Sequence, residues 1–392
     1  MARSEGGEDG VSIIEPSFTV GIEEEYLLVD RETRDLAGDP CGEIIEACAE
    51  RCDGQVGPEL LKPQIEVGTR VCHSIAEVRE NLEQLRRTVV DCAGEHGLAP
   101  IAASTHPFAT WSTQKHTERE RYHSLTQEMQ AAARRMLICG MHLHVGIEDE
   151  ELRIDLMNQL SYFLPHLLAM SCSSPFWQGR DTGLKSYRLT VFDALPRTGV
   201  PEQFSSYAEY RRHVKVLVDA GVIDDGTRIW WDLRPSERYP TLETRVMDVC
   251  TSIDDAVALS ALIVCILRML WRLRRRNQRW RIYSPMLIRE NRWRAMRYGT
   301  DEGMIDMALG VVVPFPDLVE ELTALVTDDA AALGCEAQIA HLPTILERGT
   351  SAHRQRAVYD AAVADGADQA EAGRQVVDFL IRETSGRTQA TD

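Results

Sequence analysis

The segment from Phe18 to Val29 alternates like a buried β-strand, yet it carries three successive glutamates at its centre, Glu23-Glu24-Glu25. Strand side chains point to opposite faces with period two, so Phe18, Val20, Ile22, Tyr26 and Leu28 share one face. Thr19, Gly21, Glu23, Glu25 and Leu27 share the other. Glu24 should then face away from its two neighbours and matter much less to any site they form. Glutamate is a poor strand former, and like charges on one face repel. Two readings stay open at this point: ordinary charge on a solvated face, or carboxylates gathered around a divalent cation.

Other strand-like segments repeat the oddity. Glu66 sits inside Gln64-Ile65-Glu66-Val67, with Glu59 seven residues earlier. Glu243 and Arg245 share a face of Leu242-Glu243-Thr244-Arg245-Val246, and His142 and His144 share a face of the run Gly140 to Gly146. A lone strand histidine is more often a satisfied core residue than a ligand. Taken together, the segments suggest one sheet face lined with acids and a histidine. Hard oxygen donors favour magnesium or manganese over zinc. No GxxxxGK[ST] loop and no Rossmann glycine fingerprint occurs. A nucleotide could instead lie on a carboxylate-lined sheet, with arginines completing charge neutralisation. Arg188, Arg234, Arg245 and Arg294 are candidates for that role. Eleven arginines crowd Arg268 to Arg297, where a solvated helix end competes with phosphate binding. Ser104-Thr105-His106-Pro107 lacks the GxSxG context of a nucleophile elbow and reads as a structural or substrate-contact loop.

Strands and helices alternate irregularly, which favours an α+β fold with an antiparallel sheet over a doubly wound parallel one. A capping pattern at Ser74 and Glu77 opens a helix with apolar positions from Ile75 to Cys92. Further helices are expected over Ile154 to Met170, kinked at Pro165, over Tyr207 to Ala220, and from Ala256, capped by Ser252 and Asp255. Strands are expected near Ile138 to Ile147, Arg228 to Leu233 and Leu242 to Val249. Gly179 to Gly199 reads as a long functional loop, and the chain after Pro314 as helical. With no repeat or composition break, residues 16–382 read as one domain between a leader, 1–15, and a tail, 383–392.

A formal charge of −18 argues against partners such as nucleic acid or anionic membranes. The longest apolar run, Ala256 to Leu267, is shorter than the roughly 18 residues of a spanning helix. Ten scattered cysteines form no CxxC pair and read as reduced thiols of a cytoplasmic protein.

Eight ordered motifs carry a family resemblance. They are Phe18 to Glu25, Thr105-His106-Pro107-Phe108, Glu120-Arg121-Tyr122, Gly140 to Gly146, Ser174-Pro175-Phe176, Trp231 to Ser236, Glu243 to Asp248 and Arg297-Tyr298-Gly299. In these the chain resembles the YbdK-type carboxylate–amine ligases, a branch of the glutamate–cysteine ligase superfamily related to glutamine synthetase. The resemblance implies a curved, mostly antiparallel sheet forming a funnel flanked by helices. It implies metal ligands at Glu23, Glu25, Glu59, Glu66, His142 and Glu243, with His144 only an accompanying residue. Arg245 would contact phosphate, and Arg188 would pair with the substrate carboxylate. The implied reaction uses ATP and magnesium, with manganese as the alternative ion. A carboxylate becomes an acyl phosphate, and an amine displaces the phosphate to give an amide. Glutamate is the first acid to try and cysteine the first amine. The competing readings are a metal–nucleotide binding protein without catalysis and a metal-dependent amide hydrolase. A homodimer is expected by analogy alone.

Overall fold

Seven strands form one antiparallel sheet: β1 (Val20–Asp30), β2 (Val56–Pro58), β3 (Gln64–Gly68), β4 (Leu98–Ile101), β5 (Met141–Gly146), β6 (Leu233–Pro235) and β7 (Thr241–Thr244). Their order is β6–β7–β5–β1–β3–β2, and β4 pairs with the far end of β1, from Leu27 to Asp30. The computed structural model describes residues 14–38 and 42–386; the expected leader (up to residue 13), Cys41 and the end of the expected tail lie outside them.

One face of β1 presents Ile22, Glu24, Tyr26 and Leu28 to the core, all 1% exposed or less. Against that face packs the Ile75–Gly94 helix, which lies in turn on the Ile253–Arg275 helix. Val78, Leu82, Leu85 and Val89 supply the inner stripe of the first helix. The second is apolar almost all round, the pattern of a helix inside a protein. It is the one described helix long and apolar enough to cross a bilayer, but 83% of that window is buried against the rest of the chain. Each buried Leu or Ile contributes about 1.5–3 kcal/mol, so this pair of helices backs the sheet firmly.

Glu24 faces away from Glu23 and Glu25, as expected, and it has a structural role of its own. Arg86, from the Ile75–Gly94 helix, donates to both its oxygens, at 2.9 and 2.7 Å, and Tyr26 donates its hydroxyl. The middle glutamate is therefore a buried structural anchor of β1.

Several boundaries also differ. Ser74 caps its helix as expected, but the Glu77 carboxylate accepts from His73 N–H, one residue before the cap. Ser252 makes no side-chain cap bond, and Asp255 instead binds His341 and Arg348. Pro165 marks a break: a 3₁₀ turn, Ser161–Phe163, separates helices Glu150–Leu160 and Leu164–Ser171, with Pro165 in the first turn of the second. The expected loop 179–199 contains the helix Arg188–Phe192, because Leu189, Val191 and Phe192 bury themselves. The strand expected through Arg228 to Leu233 is interrupted at Asp232, whose carboxylate accepts from Arg292. The final helix, Gln369–Thr384, runs past residue 382, and Glu383 pairs with Arg354. All nine described cysteines are buried and free.

Candidate functional site

Strand register decides which side chains meet, because residues directly opposite in neighbouring strands point to the same face. Arg234 of β6 lies opposite Glu243 of β7, Glu243 opposite His144 of β5, and His144 opposite Gly21 of β1. Two residues on, Glu23 lies opposite both His142 and Gly68, and then Glu25 opposite Glu66. The face that turns away from the helices thus collects every strand acid singled out in the sequence except Glu24. Glu59 joins from the loop after β2. Gly21 leaves space on this face, where a Cβ would stand 3.9 Å from that of His144.

Two groups of potential ligand atoms result, each with all its atoms within 4.8 Å of one another: Glu23, His144 and Glu243, and Glu25, Glu59 and Glu66. In the first, His144 Nδ1 is engaged with the Thr241 hydroxyl at 2.9 Å. Its Nε2 therefore faces Glu23 and Glu243, at 3.8 and 3.9 Å. His142 lies directly opposite Glu23, with Nδ1 3.4 Å from that carboxylate and 3.5 Å from Arg245. Of the two histidines, His144 reaches both Glu23 and Glu243, and His142 reaches Glu23. His142 also lines a neighbouring cavity. Burial and then Arg245 hold its imidazolium down, to about 4, so it is neutral at neutral pH. Partial burial opposes charge on Glu23, but the hydrogen bond with His142 and the nearby imidazoles lower it to about 2. Burial likewise opposes charge on Glu243, and Arg245 and Arg234 overcome it, holding the carboxyl well below the usual range.

The second group behaves in the opposite way. Burial, then the charge of Glu59, push Glu25 up to about 8. At 4.8 Å and an effective dielectric constant of about 20, two carboxylates repel by about 3 kcal/mol. Three of them fit together only with a proton or a cation among them. Glu25 also accepts from Gly140 N–H at 2.7 Å, and Glu59 accepts from the Tyr122 hydroxyl at 3.1 Å. This all-oxygen set suits a hard divalent ion.

The arginines divide. Arg245 donates to Glu243, leaves a buried Nε without a partner among the described residues, and lines a cavity with Glu25 and Glu59. Arg234 is committed, to Glu243 and to the carbonyls of Thr227 and Ile229. Arg188 is buried; among the described residues its guanidinium donates only to the Arg245 carbonyl, at 3.3 Å, and its Nε has no partner. It fits because position 140 is glycine: a Cβ there would lie 2.4 Å from its guanidinium. Glu25, Gln64, His142, Arg188, Phe192 and Arg245 are among the residues around a cavity of about 100 Å³. Arg294 does not reach this face. It donates to the Gly303 carbonyl and lies over the Tyr298 ring. The helix Pro285–Tyr298 sends Arg292 inward instead, to Asp232 and Asp193.

Comparison with known proteins gives the family and the fold. The sequence matches the model of glutamate–cysteine ligase family 2 (GCS2) over residues 19–378. A protein of Rhodospirillum rubrum, provisionally named glutamate–cysteine ligase 2, is 60% identical, with 94% of this chain and 96% of that one covered. A similarly named protein of Herpetosiphon aurantiacus is 42% identical over 94% of this chain and 93% of its own. Among solved structures, a glutamate–cysteine ligase of Francisella tularensis in complex with AMP has a TM-score of 0.66 at 11% identity, covering 94% of this chain and 89% of that one. A bifunctional glutathione synthetase from Pasteurella multocida also has a TM-score of 0.66, at 13% identity, covering 93% of this chain and 52% of that one. At such identities these two structures share the fold: helices around a mostly antiparallel sheet.

Proposed function

The chain belongs to glutamate–cysteine ligase family 2, is an ATP-dependent carbon–nitrogen ligase, and, we propose, joins a small carboxylic acid to an amine on the acid-lined face of its sheet. One observation carries the placement: two ligand groups, Glu23–His144–Glu243 and Glu25–Glu59–Glu66, lie close to Arg245, which bonds Glu243 of the first and lines a cavity with Glu25 and Glu59 of the second. We assign one divalent cation to each group, magnesium first and manganese as the alternative. When bound, such ions would supply the positive charge that the triphosphate oxygens need.

The chain's own residues do the rest. Arg245, with its unpartnered Nε, faces the transferring phosphoryl group and draws off its charge. Arg234 is a positioning residue that holds Glu243. Arg188 receives the acid substrate's carboxylate in the cavity beside Glu25. That carboxylate takes the γ-phosphoryl group, and ADP leaves. The amine then attacks the acyl carbon, inorganic phosphate departs, and the amine gives up a proton. No side chain is needed as a covalent nucleophile. Glutamate and cysteine are the first acid and amine to supply. The nine described thiols, all unpaired, fit a reducing compartment, and we place the enzyme in the cytoplasm.

The test is a phosphate-release screen of acids and amines with MgATP, followed by mass analysis of the product. Phosphate should appear only when acid, amine and metal are present together. Glu23→Gln should lower turnover by about 10²–10³-fold while the melting curve is kept, and Glu243→Gln should lower it as much with some loss of stability, since Arg234 and Arg245 lose a buried partner. Full activity in either variant would remove the cation assignment. Metal-dependent amide cleavage without nucleotide would point to a hydrolase instead.

A further inference from the structure

Asp248 is a wholly buried carboxylate outside both ligand groups. It follows β7, and its backbone bridges to Gly140, the residue whose missing Cβ makes room for Arg188. Its side chain gathers three donors. Ser173 N–H and the Ser174 hydroxyl meet one oxygen, at 2.8 and 2.7 Å, and the Ser186 hydroxyl meets the other, at 2.8 Å. These serines lie on two segments that pair with each other: Ser174 N–H donates to the Lys185 carbonyl, and Tyr187 N–H to that of Ser174. The Ser174 hydroxyl also accepts from Arg188 N–H, at 3.1 Å. One carboxylate therefore ties down both segments at the point where the Arg188–Phe192 helix begins.

The charges here are arranged for something other than stability alone. A buried carboxylate is ordinarily held by a cation in direct contact. All three donors to Asp248 are neutral instead, and the buried Arg188 guanidinium donates only to a carbonyl among the described residues. A single hydroxyl, that of Ser174, stands between the two, accepting from Arg188 N–H and donating to Asp248. Each still supports the other's charge through space. Burial pushes the Asp248 carboxyl up, and Arg188 is the foremost group that holds it down. Burial lowers Arg188, and Asp248 is the foremost group that raises it. A direct ion pair would balance the charges too, but it would occupy the guanidinium. As built, the backbone of Arg188 is fixed, its charge is balanced, and its Nε stays unpartnered beside the cavity that it lines with Glu25.

We propose that Asp248 is a positioning residue for the acid substrate: acting through Ser174 and Ser186, it holds Arg188 in place and leaves the guanidinium open to the substrate's carboxylate. The inference rests on the assignment of Arg188 to that carboxylate above. Asp248 does not line the Arg188 cavity, so it acts on the acid only through the arginine. Its loss therefore weakens the hold on the acid and leaves the nucleotide's binding as it was.

The experiment uses the full chain with saturating MgATP and cysteine, varies glutamate, and follows phosphate release. Asp248→Asn keeps the shape but removes the charge and turns an amide N–H toward the serine donors. The KM for glutamate should rise about tenfold or more, while kcat and the KM for ATP stay within about threefold. Ser186→Ala deletes one donor to Asp248 and should raise the KM for glutamate about threefold. The double variant should go no further than Asp248→Asn alone, because both changes act through one carboxylate. Arg86→Met, buried on the other face of the sheet, is the control for lost stability and should leave the KM for glutamate unchanged. An Asp248→Asn enzyme that melts earlier but keeps its KM for glutamate would overturn the proposal, as would equal rises in the KM for ATP and glutamate, or the same rise in Arg86→Met. If Asp248→Asn does not fold, the KM of Ser186→Ala decides. If the parent chain turns over no glutamate with any amine, the ligase reading with this acid is what fails. Calorimetry with glutamate then decides for Asp248 by itself: binding that Asp248→Asn weakens about tenfold supports the proposal, and equal binding, or none in either, removes it.

Discussion

Replacing Arg86 by methionine tests the account of the glutamate run most directly. The guanidinium makes four bonds, two to Glu24 and one each to the carbonyls of Cys250 and Thr251, at 2.7–2.9 Å. Both partners are almost wholly buried, with Arg86 4% and Glu24 0% exposed. Methionine fills much of the volume but leaves a buried carboxylate with only the Tyr26 hydroxyl. Breaking one side of a buried ion pair costs about 3–5 kcal/mol, because the remaining charge stays out of water. Domain stabilities run to about 5–15 kcal/mol, so this is a large share. The double replacement Glu24→Leu/Arg86→Met removes both charges and should recover most of the loss, to within about 1–2 kcal/mol of the parent. Urea unfolding followed by circular dichroism gives the three midpoints, with slopes compared to check that the same surface unfolds. Added salt should leave the difference unchanged, since the pair is shielded from solvent. An Arg86→Met loss below about 1 kcal/mol, or a double variant as unstable as the single one, would refute the reasoning.

Two further outcomes follow from the geometry. Gly140→Ala places a Cβ 2.4 Å from the movable end of Arg188, so the fold should survive while the arginine shifts; the KM for the acid substrate should rise about tenfold or more, and an unchanged KM would detach Arg188 from that substrate. His106 is buried, accepts from Phe108 and Ala109 N–H at Nδ1 and contacts the Arg34 carbonyl through Nε2, and burial lowers its pKa to about 4. An unfolded histidine titrates near 6.5, so the unfolded chain takes the proton first. Stability is whole above about pH 6.5 and falls as pH drops toward 4, by about 3 kcal/mol from this group. His106→Gln should flatten that slope by one proton, measured as urea midpoints against pH; an identical slope would show that His106 is already charged when folded.

Alternation made much of the site legible. Period two put Glu23 and Glu25 together and Glu24 opposite, and β1 spans Val20–Asp30 almost as read. The role of Glu24 was harder, because its partner lies on another element. A signal existed all the same: Arg86 falls on the apolar stripe of its helix, four residues after Leu82 and three before Val89, and a buried arginine needs a buried acid. The two histidines share a face, so parity could not choose between them. The β7–β5–β1 register separates their places, setting His144 opposite Glu243 and His142 opposite Glu23. Arg294 went astray for a related reason. Two residues on a helix are separated by about 200°, so once Arg292 turns inward to Asp232, Arg294 turns out. The link from Asp248 to Arg188 was invisible in sequence, since Ser174, which joins them, lies on a third segment.

The charge balance on the sheet face ties these features together. Five carboxylates, Glu23, Glu25, Glu59, Glu66 and Glu243, stand with three arginines, Arg188, Arg234 and Arg245, and with His142, which burial and Arg245 keep neutral at neutral pH. Counted among these acids and arginines alone, with all acids ionised, negative charges exceed positive by two, a balance that repels a triphosphate rather than binding it. Protonating Glu25 relieves only one of them, which is the state that its raised pKa describes. One divalent cation in each ligand group turns the same face positive and lets all five acids ionise. The prediction is that magnesium and nucleotide bind cooperatively: each should tighten the other's binding by a similar factor, as linkage requires. Calorimetric titration of ATP at fixed magnesium concentrations measures that factor, and Glu66→Gln should reduce it. Nucleotide affinity independent of magnesium would mean that the arginines suffice, and that the acids serve some other purpose.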